Sequence, residues 1–418
     1  MDFDLKNTLK EILDNKSSYL MILFAFMLPF RHEFSFILAM LSVLLLFFDS
    51  KSKANFKVNY TSNKNVFFLF LLFLVYLSGL IYSSNLSFGF KDIDTKLPLL
   101  IIPFSLLSIN FNFIEKIVKA FITGCFISLI FCLISSTNKY LHSNNYSSFF
   151  YDDISIFMHT SYFSMYILTA IVFTYFIFQN TLSKRKYYKV VFFSLLNLIF
   201  ILMLFLLSSK AGVLIAAILF FLLIIHDLFF VKKMIFSVII IFQSLVFILA
   251  FPEISGYVFN RFEDVKSYTE NTPQKTENVK NDSSSSRIVI WRSSLDVFRE
   301  NILFGVGTGD IKDELFKKYK MNNFQYGIDL NYNSHNQYLQ YLATFGIYGV
   351  LILFTGLYYL FKLKYLKFNL LSILFFVIVL LNLSVESMFE TRAGVEFFSF
   401  FFVLLTLKQF NNDSFFSS

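Results

Sequence analysis

The chain has 418 residues, 56% of them hydrophobic and only 15% charged, with 61 phenylalanines. A water-soluble domain carries about 25% charged residues, so the composition excludes a soluble globular enzyme and points to a polytopic membrane protein. The formal net charge of +8 does not indicate a nucleic-acid partner, because the lysines sit in short segments between apolar runs, as the positive-inside rule requires.

Only 5 prolines and 13 glycines are present, which suits long helices rather than the many turns of a barrel. Residues 1–18 are polar. Acidic as well as basic residues precede the first apolar run, without a small-residue cleavage pattern, so insertion through uncleaved helices is expected. Apolar runs follow at 19–30, 34–48, 65–84, 97–110, 115–135, 160–179, 189–208, 212–226 and 233–251, and then at 337–361, 366–385 and 391–408. The pattern predicts an all-α membrane protein of about twelve spans, several shorter than the ~20 residues of a usual crossing. Three parts result: residues 1–251 with spans one to nine, a loop domain over 252–335, and residues 336–418 with spans ten to twelve. No internal repeat is evident. Cys125 and Cys132 share one run, about 10 Å apart on a helix, beyond disulfide reach, and read as packing residues.

Orientation follows from the cations. With the N-terminus inside, the cytoplasmic segments hold 19 lysines and arginines, from Lys6 to Lys408. The short outer segments hold 6: Arg31, Lys91, Lys96, Lys139, Lys210 and Arg392. That excess places both termini in the cytoplasm and the long loop outside.

Within that loop, residues 270–286 are polar without apolar period and read as a flexible linker. Ile288, Trp291, Leu295 and Phe298 then recur at helical spacing, predicting an amphipathic helix over 286–300, capped by the serine run and lying on the membrane surface. The sequence Gly305-Val-Gly-Thr-Gly309 closes that helix, and Asp310 is placed to cap a short one reaching Lys320.

Several segments bring chemistry-bearing side chains to the outer face. Asn333 or Ser334 can cap the tenth span, which places His335 in its first turn. There the helix end favours a neutral ring and attracts an anion such as phosphate. An interfacial histidine satisfied by backbone or water fits the same spacing. Lys210 falls in the break that residues 189–226 need, at Ser208-Ser-Lys-Ala-Gly212; it is either a functional cation or a lysine snorkelling to the headgroups. Arg287 opens the Trp291 helix and offers a bidentate phosphate contact, whereas Arg292 and Arg299 read as a solvated face. Glu386, Glu390 and Arg392 share the last outer turn, where carboxylates at i and i+4 can orient a histidine or bind a sugar hydroxyl, or form a simple loop. Asp92, Asp94, Lys96 and His159 lie on the same side as weaker candidates. GVGTGD lacks the Lys-Ser/Thr continuation of a phosphate-cradling loop. Cysteines and histidines do not cluster, so no metal is expected.

At these residues the chain resembles the O-antigen ligase and polymerase superfamily of bacterial envelope enzymes, from about Ser208 to Phe402. His335-Asn336, nine residues and Gly346 resemble the family's His-(Asn/Ser/Gln)-x9-Gly pattern, with Ile347 in place of its usual proline. Arg287…Trp291…Gly305-Val-Gly307 is similar to the start of its conserved loop. Ser209-Lys210-Ala211-Gly212 is similar to its Ser-Arg-Gly/Ala turn, with lysine for arginine, which keeps the charge but loses the bidentate fork. The resemblance implies a GT-C-like helical bundle in the bacterial inner membrane with its active site facing the periplasm. It implies transfer of a glycan from undecaprenyl pyrophosphate to an acceptor such as the lipid A core, without metal, ATP or other cofactor. On that basis His335 is expected as the base, Arg287 and Lys210 as pyrophosphate ligands, and Asn336, Glu386 and Trp291 as supporting residues. An O-antigen polymerase is the near alternative. A non-enzymatic lipid or polysaccharide transporter is the far one, and it predicts inverted repeats.

Overall fold

The computed structural model describes residues 5–30, 32–231, 234–250, 283–362 and 370–407. Every regular element among them is helical. Of the linker expected over 270–286, residues 270–282 lie outside the described residues and 283–286 are helical; the cations Arg31, Lys232, Lys233, Lys364, Lys367 and Lys408 of the charge count also lie outside the described residues.

Each apolar run coincides with a helix. In chain order these are α2 (Lys16–Met27), α3 (His32–Phe48), α5 (Phe67–Gly79), α7 (Pro98–Leu107), α8 (Ile114–Ser143), α9 (Thr160–Ser183), α10 (Tyr187–Leu207), α11 (Lys210–His226) and α12 (Ile235–Ala250), then α16 (Gln337–Lys362), α17 (Leu370–Val385) and α18 (Arg392–Thr406). The polar helices are α1 (Leu5–Asp14), α4 (Ser50–Ser62), α6 (Leu86–Lys96), α13 (Ser283–Glu300), α14 (Ile311–Met321) and α15 (Gln325–Asp329). Among the described residues, five helices are long and apolar enough to cross a membrane, or six if α3 and α4, bent by 101°, form one broken span. The remaining apolar helices are shorter than the ~20 residues of a full crossing, so helix length by itself supplies fewer crossings than the apolar runs suggest.

The core is built on phenylalanine. α18 is buried on every side, as an element apolar all round must be. Phe401 stacks edge-on against Phe121 of α8 at 4.8 Å and meets Phe173 of α9 at 5.7 Å, while Phe397 packs against Tyr166 at 4.8 Å. α9 is buried along most of its length. Cys125 and Cys132 are buried and free, as their spacing requires.

Two breaks position the site. Between α10 and α11, Ser208 takes φ 47°, and the Ser209 side chain caps α11 by accepting the Gly212 N–H. A Cβ on Gly212 would stand 2.7 Å from Ser164 Cβ, so a glycine is what lets α11 approach α9 there. The second break lies inside α16 at Gly346, with φ 59° and ψ −154°, a region reserved for glycine. The opened turn receives the loop after α13. Val306 N–H donates to Ala343 O and Gly307 N–H to Thr344 O, while Ile347 and Tyr348 N–H donate to Ile302 and Leu303 O. Thr308 N–H reaches Gly79 O and Gly309 N–H reaches Ser83 Oγ. With the Gly305 N–H donating to Asn301 O, all five amides of the GVGTG stretch are used within the protein, which explains why this glycine-rich segment is not a phosphate cradle.

Three local expectations need correction. His335 is not in the first turn of its helix: it sits before α16 with φ 42°. Asn336, rather than Asn333 or Ser334, supplies the cap, its Oδ1 accepting the Leu339 N–H. Asp310 does not cap its own helix with its side chain, because its carboxylate accepts the Ser84 and Asn85 N–H groups across the loop. On α13 the serine run lies inside the helix, and the buried face is Ile290, Ser293, Ser294 and Val297. The stripe of Ile288, Trp291, Leu295 and Phe298 is turned partly outward.

Candidate functional site

Glu386 is the hub. It follows the last turn of α17, where Glu386 N–H still bonds to Asn382 O, and its side chain is 5% exposed. Three elements converge on its carboxylate. Arg287 Nη2 of α13 donates to Oε1 at 3.1 Å, Ser161 Oγ of α9 donates to the same oxygen at 3.0 Å, and His335 Nδ1 lies 3.3 Å from Oε2. A buried carboxylate needs such partners, since an unpaired charge away from water is costly. Burial pushes its pKa up. The His335 hydrogen bond and the nearby charges of His335, Arg287 and His159 outweigh burial and hold the carboxyl below its ordinary value.

The backbone fixes His335 from both sides. Its N–H donates to Asn333 Oδ1 at 3.0 Å, and its ring meets Tyr332 edge-on at 4.9 Å. Asn336 then ties α16 to α17: its N–H donates to Ser387 Oγ at 3.2 Å and its Nδ2 to Ser384 O at 2.9 Å. Ser334 is anchored by Gln340, whose Oε1 accepts both its N–H and its hydroxyl, and Ser294 Oγ of α13 reaches Ser334 Oγ at 2.9 Å. Nδ1 faces the Glu386 carboxylate, which only accepts, so in the neutral ring the proton belongs on Nδ1 and the lone pair on Nε2.

The other sequence-predicted residues divide into two groups. Lys210 opens α11 at the same end of the bundle, two residues before Gly212, which packs on Ser164 one turn beyond Ser161. His159 caps α9 two residues before Ser161, with Nε2 4.0 Å from Asp152 Oδ1. Trp291, one turn after Arg287, packs on a second, smaller apolar cluster that includes Ile311 and Leu315, and among the described residues its buried Nε1 has no hydrogen-bond partner. Lys96, Glu390 and Arg392 gather elsewhere. Lys96 is fully buried, paired with Asp92 and with Glu390 at 3.2 Å, and lies 4.7 Å over the Tyr76 ring. Burial and the second carboxylate outweigh Lys96 in raising Asp92 to about 7. Arg392 pairs with Asp94 and lies 4.6 Å over Phe36. Gln337 joins the two groups: its Oε1 accepts the Phe389 N–H and its Nε2 reaches Tyr76 OH at 3.4 Å.

Ser161, Ser387, Gln337 and Gln340 escaped sequence reading, because lone hydroxyls and amides inside or beside apolar runs carry no spacing signal. A buried acid at the far end of α9 escaped it too. Asp227 accepts from Tyr175 OH at 2.6 Å, Gln179 Nε2 at 2.9 Å and Ser237 Oγ at 2.6 Å. Among the described residues, no group of three His, Cys, Asp or Glu side chains is arranged to hold a metal.

No curated protein matches the chain. A family model described as O-antigen ligase matches residues 195–354. The matched stretch holds Lys210, Arg287, Trp291, His335, Asn336 and Gly346, and it ends before Glu386. It therefore covers both breaks and two of the side chains that meet at the hub, and over that stretch it supports the resemblance to the O-antigen ligase superfamily.

Proposed function

We propose that the chain is an O-antigen ligase, which transfers a glycan from undecaprenyl pyrophosphate to a sugar of the lipid A core. The observation that carries this reading is the Arg287–Glu386–His335 arrangement, in which a guanidinium and an imidazole from separate elements share one buried carboxylate. A phosphate ligand and a proton acceptor side by side are what a lipid-pyrophosphate donor and a hydroxyl acceptor require.

In the proposed reaction His335 Nε2 takes the proton of the acceptor hydroxyl. Glu386 holds Nδ1–H and compensates the imidazolium that forms. The acceptor oxygen bonds to the anomeric carbon from the face opposite the pyrophosphate, the bond from that carbon to the phosphate oxygen breaks, and configuration inverts. The guanidinium donors of Arg287 not used by Glu386, together with Lys210, offset the charge on the departing undecaprenyl pyrophosphate. Asn336 positions His335, and Trp291 Nε1–H offers a donor to a substrate oxygen. His159 caps α9 beside Ser161, whereas Lys96, Glu390 and Arg392 belong to the neighbouring cluster that Gln337 ties to the site. No metal or other cofactor takes part.

The proposal includes the topology: about twelve passes through the bacterial inner membrane, both termini cytoplasmic, and a periplasmic domain over 252–335 between residues 1–251 and 336–418. The 19-to-6 distribution of cations and the placement of the hub residues at one end of the bundle support it. Transfer by the purified full chain, given a defined polyprenyl-pyrophosphate glycan and lipid A core, tests it. The glycan should appear on the core sugar. Elongation of the lipid-linked glycan in its place would identify a polymerase, and no transfer to either acceptor would overturn the reading.

A further inference from the structure

At the end of the bundle away from Glu386, an open, apolar groove of about 870 Å³ runs between α5, α7 and α17's neighbour α16. Leu71, Leu100, Pro103, Phe104 and Gly356 form its walls, and Tyr60 and Lys64 stand at its rim. That volume lies within the ~300–1,000 Å³ of small-molecule sites. The direction of the helices fixes which end this is: α5 runs from Phe67, which lines the groove just after Lys64, toward Gly79, whose carbonyl meets the Thr308 N–H, and α16 runs from the hub toward Gly356. A Cβ on Gly356 would stand 2.7 Å from Leu71 Cδ2, so the glycine sets the close approach of α16 and α5 at the groove wall.

α4 lies across this end. It turns 101° from α3 and is held on α7 by Asn59, whose Nδ2 donates to Leu107 O at 2.9 Å and Ile109 O at 3.0 Å. Phe56 stacks on Tyr60 and on Phe104 at 5.8 and 5.6 Å. Lys53, Lys57 and Lys64 are exposed. Lys53, Lys57 and Tyr60 follow one another at helical spacing, on a stripe that leads to Lys64 at the groove rim. Such a helix has the composition of an interfacial element, with aromatic residues at headgroup level and cations toward the phosphates.

We propose that the groove holds an acyl chain of an anionic phospholipid whose phosphate lies against Lys53, Lys57 and Lys64. Charge complementarity selects this occupant: an apolar slot with Lys64 at its rim, reached by the α4 stripe that carries the exposed Lys53 and Lys57, matches a lipid with a long chain and a negative head, and basic pockets between membrane helices are built for such heads. The site is distinct from the transfer site, so its test does not depend on the proposed reaction.

The full chain, purified in a neutral detergent, would be titrated with cardiolipin, phosphatidylglycerol or phosphatidylethanolamine, and bound lipid would be counted by native mass spectrometry. The anionic lipids should bind more tightly than phosphatidylethanolamine. K53Q, K57Q and K64Q should each lower that preference by about fivefold, while L100W should weaken every lipid and leave the order unchanged. Equal binding of anionic and zwitterionic lipids by the unmodified chain would overturn the proposal, and so would a preference unaltered in the triple glutamine variant. Binding that is suppressed equally by soluble glycerol phosphate would show a headgroup site without a chain and would also overturn it.

Discussion

His335 and Arg287 share the Glu386 carboxylate, and in the proposed reaction the three act as one unit, so removing each should fail in its own way. H335A removes the proposed proton acceptor, and transfer should fall by about 10²–10⁴-fold while the protein still inserts and elutes as a single species. E386Q keeps the shape but weakens the hold on His335 and Arg287, so kcat should fall more than KM rises. Stability against pH separates two carboxyls of opposite sign. Glu386 is held below its ordinary value near 4.5; its contribution is full above that pH and lost as the pH falls through its lowered value. Asp92 is raised from 3.8 to about 7; its contribution is full below 3.8 and lost as the pH rises toward 7. Thermal unfolding in detergent across pH 3 to 8 should therefore lose its acid-side slope in E386Q and its slope between pH 4 and 7 in D92N. Unchanged slopes in both variants would contradict these assignments.

At the scale of elements, the breaks matter more than the spans. Gly346 lets α16 open and receive residues 302–309, and a Cβ there would lie 2.5 Å from Ile302 O and 2.7 Å from Gly305 N. G346A should therefore lower the unfolding temperature and the yield of folded protein, at a cost of at least about 1–3 kcal/mol of backbone strain. The fully buried Lys96 between Asp92 and Glu390 is a second test. K96M leaves two carboxylates without their cation and should destabilise the chain by about 3–5 kcal/mol, and replacing all three by apolar residues should restore most of that. Some of this was legible in the sequence. Hydrophobic runs located the helices, and the excess length of residues 189–226 located the break at Ser208–Ser209, because both depend on local composition. The opened turn at Gly346 was not legible, since a glycine inside an apolar run looks the same whether it packs or kinks. The cap at Asn336 was missed for a related reason: Asn333, Ser334 and Asn336 all cap helices well, and the tertiary contacts of Ser384 and Ser387 decide among them.

At the scale of the whole molecule, the apolar composition and the cation asymmetry describe a bundle with two unlike ends. One end gathers Glu386, His335, Arg287 and Ser161, and the other carries α4 and its lysines. The candidate site was legible as a set of residue types on one predicted face, and Arg287, His335 and Glu386 do meet. Sequence reading did not separate Lys96, Glu390 and Arg392 from them, because predicted topology assigns a side of the membrane and not a partner. Only packing shows that Glu386 and Glu390, one helical turn apart in numbering, serve different clusters. The central claim is that His335 and Arg287 work together on a lipid-linked donor at the end of the bundle where Glu386 holds them. Its most direct measurement is single-turnover transfer from a defined polyprenyl-pyrophosphate glycan to lipid A core by the unmodified chain, H335A and R287A. Product from the unmodified chain and none above background from either variant is the predicted result; transfer by H335A at the unmodified rate would contradict it.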